Sequence, residues 1–183
     1  RYQPRSRGLG DVYKRQTVTR AATRRRSVLR RLLAGAARAD VTVFDHDPHF
    51  AFPTVGHGVT RCGAIVVAVA DDAPWFNLER SNAPMRMRLD FMKSAPEWQA
   101  DIIANTAHAL GSIEWVSPDL VDGCLMADHF DPQFAMVASR PDVRVGTAAI
   151  NEIHVHDSDG VGPVAVDDVV DPALFEGLEG ALF

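Results

Sequence analysis

Apolar and polar residues alternate without a break from Met85 to Phe91, setting Met85, Met87, Leu89 and Phe91 on one face and Arg86, Arg88 and Asp90 on the other. A side-chain period of two is that of a strand with one face on a core and the other on solvent or a partner. Val41-Thr42-Val43-Phe44 reads as a second strand, and the segment that follows to Gly58, rich in His, Pro and Gly, as a loop holding a third strand around Phe50 to Val55. Gly63 to Ala70 is a continuous run of small and β-branched residues, which predicts a central strand. A short extended piece is expected at Trp75 to Glu79.

At Ser94-Ala95-Pro96-Glu97 the pattern changes to a capping box, with proline tolerated in the first turn. It predicts a helix to Leu110, with Trp98, Ile102 and Ala109 as its apolar stripe, Ile103 and Leu110 flanking it, and Gly111 as a left-handed stop. Strands are expected at Ile113 to Ser117 and Gly123 to Ala127, and again at Val143 to Thr147 and Ile150 to His156. Between the two pairs, Asp131-Pro132 is a cap-then-proline signal for a short helix over about Gln133 to Ser139. Asp171-Pro172 repeats the signal before a last short helix from Ala173. This is not the strand-helix alternation of a doubly wound sheet. The expected class is α+β, a mostly antiparallel sheet with one long central helix and short helices.

Charge divides the chain in two. Residues 1–39 hold twelve of the 19 basic residues and a single acid, Asp11, for a formal charge of +11, while residues 40–183 carry 7 basic and 23 acidic residues, for −16. Arg1 to Gln16 show no apolar period to bury, and Gly10 to Gln16 resembles adapter-derived translation. The expectation is therefore a basic, unstructured or non-native segment over 1–39 and one acidic domain over 40–183, a size sufficient for one core. The paired arginines and leucines of Arg24 to Ala37 resemble a twin-arginine export signal, but only Leu32 to Ala37 is uncharged, short of the roughly 7–15 apolar residues of a signal core. Cytoplasmic residence is expected, with export as the alternative if that signal is genuine. No window reaches the length of a membrane span, and Thr23 to Ala37 lacks the aromatics of a stacking surface, so neither membrane nor nucleic acid is expected as a partner. Cys62 and Cys124 have no zinc-type spacing and read as buried thiols.

Chemistry is concentrated in histidines. Glu152, His154 and His156 fall at period two, so one strand would project a carboxylate and two imidazoles from the same face, a donor set suited to Zn or Fe(II). Asp45-His46-Asp47-Pro48-His49 and His57 cluster further ligand types, although such loops also serve turn chemistry. His129-Phe130-Asp131 has the HxD form of an oxygenase site, but Asp131 is better used as a helix cap. His108, on the expected helix, reads as a surface residue. No phosphate-cradling glycine loop, GxSxG elbow or Cys/His nucleophile pair is present.

Taken in order, Phe52-Pro53-Thr54-Val55-Gly56-His57-Gly58, the strand Met85 to Phe91, Pro96-Glu97-Trp98 opening a helix with Ile102-Ile103-Ala104, Asp122-Gly123-Cys124-Leu125 leading to Asp131-Pro132, and Val143 to Glu152 resemble the bacterial suppressor-of-fused-like domain family over about Val41 to Gly160. The resemblance implies a protein-binding domain without catalysis or cofactor, of the immunity type that neutralises a toxin. A −16 domain would attract a basic toxin domain at long range. Trp75 and Phe76 as anchors, the polar face of Arg86, Arg88 and Asp90, and a sheet edge open to strand addition are the expected contact points. The alternative is a metal-dependent enzyme built on Glu152, His154 and His156.

Overall fold

A computed structural model describes residues 9–45, 49–71, 83–95 and 102–170, and for 9–18 the backbone alone. The elements in chain order are α1 (Leu9–Arg31), β1 (Arg38–Val43), β2 (Phe50–Pro53), β3 (Gly56–Val59), β4 (Ile65–Ala70), β5 (Met85–Ser94), β6 (Ile103–Trp115), α2 (Pro118–Met126), α3 (Pro132–Ala138), β7 (Val143–Asp157) and β8 (Gly160–Val164). Every strand pair is antiparallel, in the order β2-β1-β5-β6-β7-β4-β3. The long β7 pairs with β6 on one side, and on the other with β4 along its first half and β8 along its second.

The two outermost strands, β2 and β3, follow one another in the chain, joined by Thr54 and Val55 alone. Thr54 N–H donates to the Ala39 carbonyl of β1 at 2.9 Å, and Val55 N–H to the Ala68 carbonyl of β4 at 2.8 Å. Two adjacent residues thus bond to opposite ends of the strand order, so the sheet has to curl, and it forms a half-barrel. Among the described residues the outermost strands are the short β2, β3 and β8.

The inward residues form the main core, among them Val41, Val67, Met87, Leu89, Phe91, Ala107, Ala109, Ile113, Ile153 and Val155. On β5 burial alternates as the sequence pattern requires. β4 is buried on both faces because Ile65, Val67 and Val69 look into the curl while Val66 and Ala68 meet Val121, Phe130, Phe134 and Ala138 of α2, α3 and the turn between them. That accounts for its unbroken apolar run. Asp131 caps α3 as expected, accepting from Gln133 N–H and Phe134 N–H at 2.9 and 3.0 Å.

Four expectations are overturned. There is no long central helix: Ala95 N–H donates to the Ile102 carbonyl at 2.6 Å, closing the β5–β6 hairpin, and the expected helical stretch from Ile103 onward is strand. Ala107, Ala109 and Ile113 face inward at period two, and pairing on both sides overrides a sequence with fair helix propensity. The strand expected at Gly123 to Ala127 is the end of α2, which starts at Pro118 behind Ser117 and carries Asp119 in its first turn. The strands expected at Val143 to Thr147 and Ile150 to His156 are a single strand with an irregularity: Leu110 pairs Glu152 and Gly111 pairs Ile150, leaving Asn151 without a partner. Finally, the charge boundary at Asp40 is not a packing boundary. Leu29, Leu32 and Leu33 are at most 1% exposed and belong to the main core, and Arg38 and Ala39 pair with β5. The expected segment at Trp75 to Glu79 and the helix from Ala173 lie outside the described residues.

Residues Leu32–Ala36 form a wide turn that ends α1, with Gly35 at φ +84°, a conformation that favours glycine. His57 of β3 reaches in beside Phe91 and shares a hydrogen bond of 2.7 Å between its Nε2 and the Leu32 carbonyl. Burial pushes the His57 imidazole below its ordinary value of 6.5, against the opposing effects of the Leu32 carbonyl and the Asp131 charge. The ring is therefore neutral and Nε2–H is the donor. Because the unfolded chain binds this proton more readily, the contribution of His57 to stability is complete above the unfolded value and is lost as the pH falls through it toward the folded one. The urea midpoint is expected to drop between pH 7 and pH 5, and His57→Gln to flatten that drop. Identical pH profiles for the two proteins would contradict the assignment.

Candidate functional site

The outward residues of β5, β6 and β7 are brought into rows by the register. Asp90 is opposite His108, which is opposite His154; in the next row Thr106 is opposite His156, and in the previous one Arg88, Leu110 and Glu152 stand side by side. Cross-strand neighbours of this kind have Cβ atoms about 4.5–5.5 Å apart. One half-exposed face therefore gathers three of the seven histidines.

Asp90 is the hinge of the cluster. One of its carboxylate oxygens takes His108 Nδ1 at 2.5 Å and the other takes Arg88 Nε at 2.8 Å. His108 then has Nδ1 committed, and Nε2 is the nitrogen left for a ligand, the arrangement in which a carboxylate fixes the tautomer of a metal-binding imidazole. The rings of His108 and His156 meet edge to face with centroids 5.0 Å apart. His154 turns instead to Glu152, Nε2 to Oε1 at 2.6 Å. Leu110 on β6 and Val161 on β8 add exposed apolar surface, at 40% and 57%, with Met92 half-buried between Arg38 and Thr106. Val161 is opposite His156, and Pro163 opposite His154.

The expected site residues divide accordingly. Glu152, His154 and His156 do share a face, yet no group of three or more His, Cys, Asp or Glu among the described residues converges to hold a bare metal ion. Glu152 and His154 engage each other instead. Of the expected contact residues, Arg88 and Asp90 are paired within the cluster, and Arg86 is held by Asp45, Nε to Oδ1 at 2.8 Å. Trp75, Phe76 and His46 to Pro48 lie outside the described residues. His49 packs against Phe44 at 5.4 Å, away from the histidine rows. Cys62 is exposed rather than buried, and the Thr60 hydroxyl 3.0 Å from its sulfur pulls the thiol below its ordinary value.

His108 is the residue sequence reasoning missed. Reading 95–110 as a helix removed it from the sheet, whereas the alternation Thr106-Ala107-His108-Ala109-Leu110 holds the strand signal in weak form, with alanine as the inward residue. The exposure of the β7 histidines is also a matter of register. Before Asn151 the even residues Gly146, Ala148 and Ile150 point into the curl; after it the odd residues Ile153 and Val155 do. The unpaired Asn151 shifts the phase and sends His154 and His156 outward.

No protein-family model matches the chain, and no curated protein does. Solved structures share its fold. A protein of unknown function from Agrobacterium tumefaciens superposes with a TM-score of 0.56 at 18% identity, over 87% of this chain and 66% of that one. A heme binding protein from Mycobacterium smegmatis does so with a TM-score of 0.52 at 14% identity, over 77% of this chain and 57% of that one. A third solved chain gives 0.57 at 18% identity, over 81% of this chain and 97% of its own length. The chain thus spans about two thirds of the Agrobacterium protein and little more than half of the Mycobacterium one. At such identities the likeness is one of fold. Among the described residues no helix is long and apolar enough to cross a membrane.

Proposed function

We propose that the chain is a binding module whose outer β5–β7 face takes an iron porphyrin, with His108 as the axial ligand. The observation that carries this is the Asp90–His108 pair, a 2.5 Å contact at Nδ1 that leaves Nε2 for a metal. A bare Zn or Fe(II) ion needs three or more converging side chains, which the described face lacks. A porphyrin iron already has four ring nitrogens and takes only axial donors from the protein. The surroundings suit such a group: Leu110, Val161 and Pro163 offer apolar surface, and Arg88 and Arg38, paired with Asp90 and Asp40, keep guanidinium groups at its edge. The shared fold with a protein described as heme binding supports the same reading.

Within the module, Asp90 holds the His108 tautomer and ring plane, and Arg88 holds Asp90. His156, edge-on to His108, limits how that ring can turn. The other expectation, a basic protein partner drawn by the −16 charge, has to contend with arginines of the chain itself. Arg24, Arg25 and Arg26 lie 3.5, 3.7 and 3.5 Å from Asp159, Asp157 and Asp168, so part of that acidic surface is already met from within.

Hemin titrated into the purified protein is expected to give a saturating 1:1 Soret change. His108→Ala should remove the axial-ligand signature, and Asp90→Asn should weaken binding by about 10–100-fold while keeping the fold. A His108→Ala protein with the wild-type spectrum would sink the proposal. So would a wild-type protein that ignores hemin while a basic protein co-purifies with it in a salt-sensitive way.

A further inference from the structure

Six arginines lie between positions 20 and 31, and they do not all do the same work. Arg24, Arg25 and Arg26 face the carboxylates of Asp159, Asp157 and Asp168, and Arg30 Nη2 donates to the Asp168 carbonyl at 2.7 Å. These contacts fasten α1 to the end of β7, the β7–β8 turn and the turn after β8. Arg20 and Arg31 have no ion pair among the described residues.

Helical geometry puts these two on one stripe. At about 100° per residue, Arg20, Arg24, Ser27 and Arg31 fall within roughly 60° of each other, with rises of about 6 Å from Arg20 to Arg24 and about 10 Å from Arg24 to Arg31. The stripe lines a groove of about 900 Å³ that Asn105, near the start of β6, also borders. Among the described residues, three arginines, three hydroxyl-bearing residues, one amide and Val28 line it.

We infer that this groove is a binding site for a phosphate-bearing small molecule of nucleotide size, held by Arg20 and Arg31, with Arg24, which also faces Asp159 at 3.5 Å, between them. Guanidinium forks match phosphate oxygens in a bidentate way that ammonium groups do not, and the groove contains no lysine. The Ser27 hydroxyl and the Asn105 amide offer neutral groups for the rest of the ligand, while the Thr23 hydroxyl already donates to the Thr19 carbonyl at 2.9 Å. Cations about 6 and 10 Å apart call for more than one anionic centre, so a diphosphate suits the stripe better than a single phosphate. The site is separate from the histidine face and does not depend on the reading given to it.

Calorimetry on the full chain with inorganic pyrophosphate and with adenosine diphosphate tests it. Both are expected to bind at 1:1, less tightly as salt rises. Arg20→Ala/Arg31→Ala should weaken both by about tenfold or more per arginine. Neither residue fastens α1, so the thermal midpoint of the ligand-free double variant should match wild type. Arg20→Lys/Arg31→Lys, which keeps the charge and loses the forks, should fall between the two, and His108→Ala should bind like wild type. The inference is overturned if neither probe binds the wild-type chain or if the double variant binds as tightly. It is also overturned if vesicles of phosphatidylglycerol in phosphatidylcholine, or duplex DNA, bind through these arginines and pyrophosphate does not compete.

Discussion

Leu29→Ala combined with Leu32→Ala is expected to remove most of the stability of the protein. Both side chains are at most 1% exposed and sit in the main core against the strands of the half-barrel. A buried Leu→Ala change costs about 2–5 kcal/mol, the removed methyl groups and the cavity contributing together. Two such losses approach the roughly 5–15 kcal/mol by which a domain is stable at all. The helix itself is not weakened, because alanine is the best helix former. A fall in the urea midpoint therefore reports lost packing between α1 and the sheet. If the double variant unfolds at the wild-type midpoint, the basic segment is not part of the cooperative fold and the charge boundary at Asp40 is the real one.

Gly111→Ala should also be damaging, for a different reason. A Cβ at this position would collide with the Ala149 carbonyl oxygen and stand 2.9 Å from the Ile150 Cα, both backbone atoms that no rotamer change can move. The close approach belongs to the irregularity at Asn151, where β6 and β7 shift register. The strands must part locally, at a cost of about 1–3 kcal/mol or more, or β7 must slip by one residue. A slip would turn Ile153 and Val155 outward and His154 and His156 into the core, which is costlier still. Calorimetric unfolding checks the stability. Retention of the wild-type midpoint would mean that the two strands are not held this closely.

What the sequence reveals depends on how many neighbours a segment has. β5 is legible because its inward residues are large, its outward ones charged, and both sets face consistent environments. The cap at Asp131 is legible because it is a local bond, closed within three residues. β6 is not legible: its inward residues are small alanines, its capping-box start mimics a helix, and only the pairing with β5 and β7 makes it a strand. The same misreading hid His108 and left the site as three residues on one strand instead of a face over three. The role of Leu29, Leu32 and Leu33 was obscured by charge, since the arginines before them mark solvent while Arg24, Arg25 and Arg26 meet carboxylates more than a hundred residues away. The resemblance to suppressor-of-fused-like domains placed a helix after Trp98 and a strand at Gly123, where the chain has β6 and α2.

The two-residue link of Thr54 and Val55 has a consequence for how the molecule is made. Since the outermost strands are consecutive, the curl cannot shut by hairpins alone: β4 must find β7, and their partners lie 73 to 83 positions apart along the chain. Pairing over such distances slows folding, toward the millisecond-to-second range of non-local β topologies. Until β7 emerges, β4 presents Ile65-Val66-Val67-Ala68-Val69 with no cover on its β7 edge, a short uncharged segment of the kind that associates with copies of itself. The finished molecule keeps only short edges, so its exposure to aggregation is concentrated in the interval between synthesis of β4 and arrival of β7.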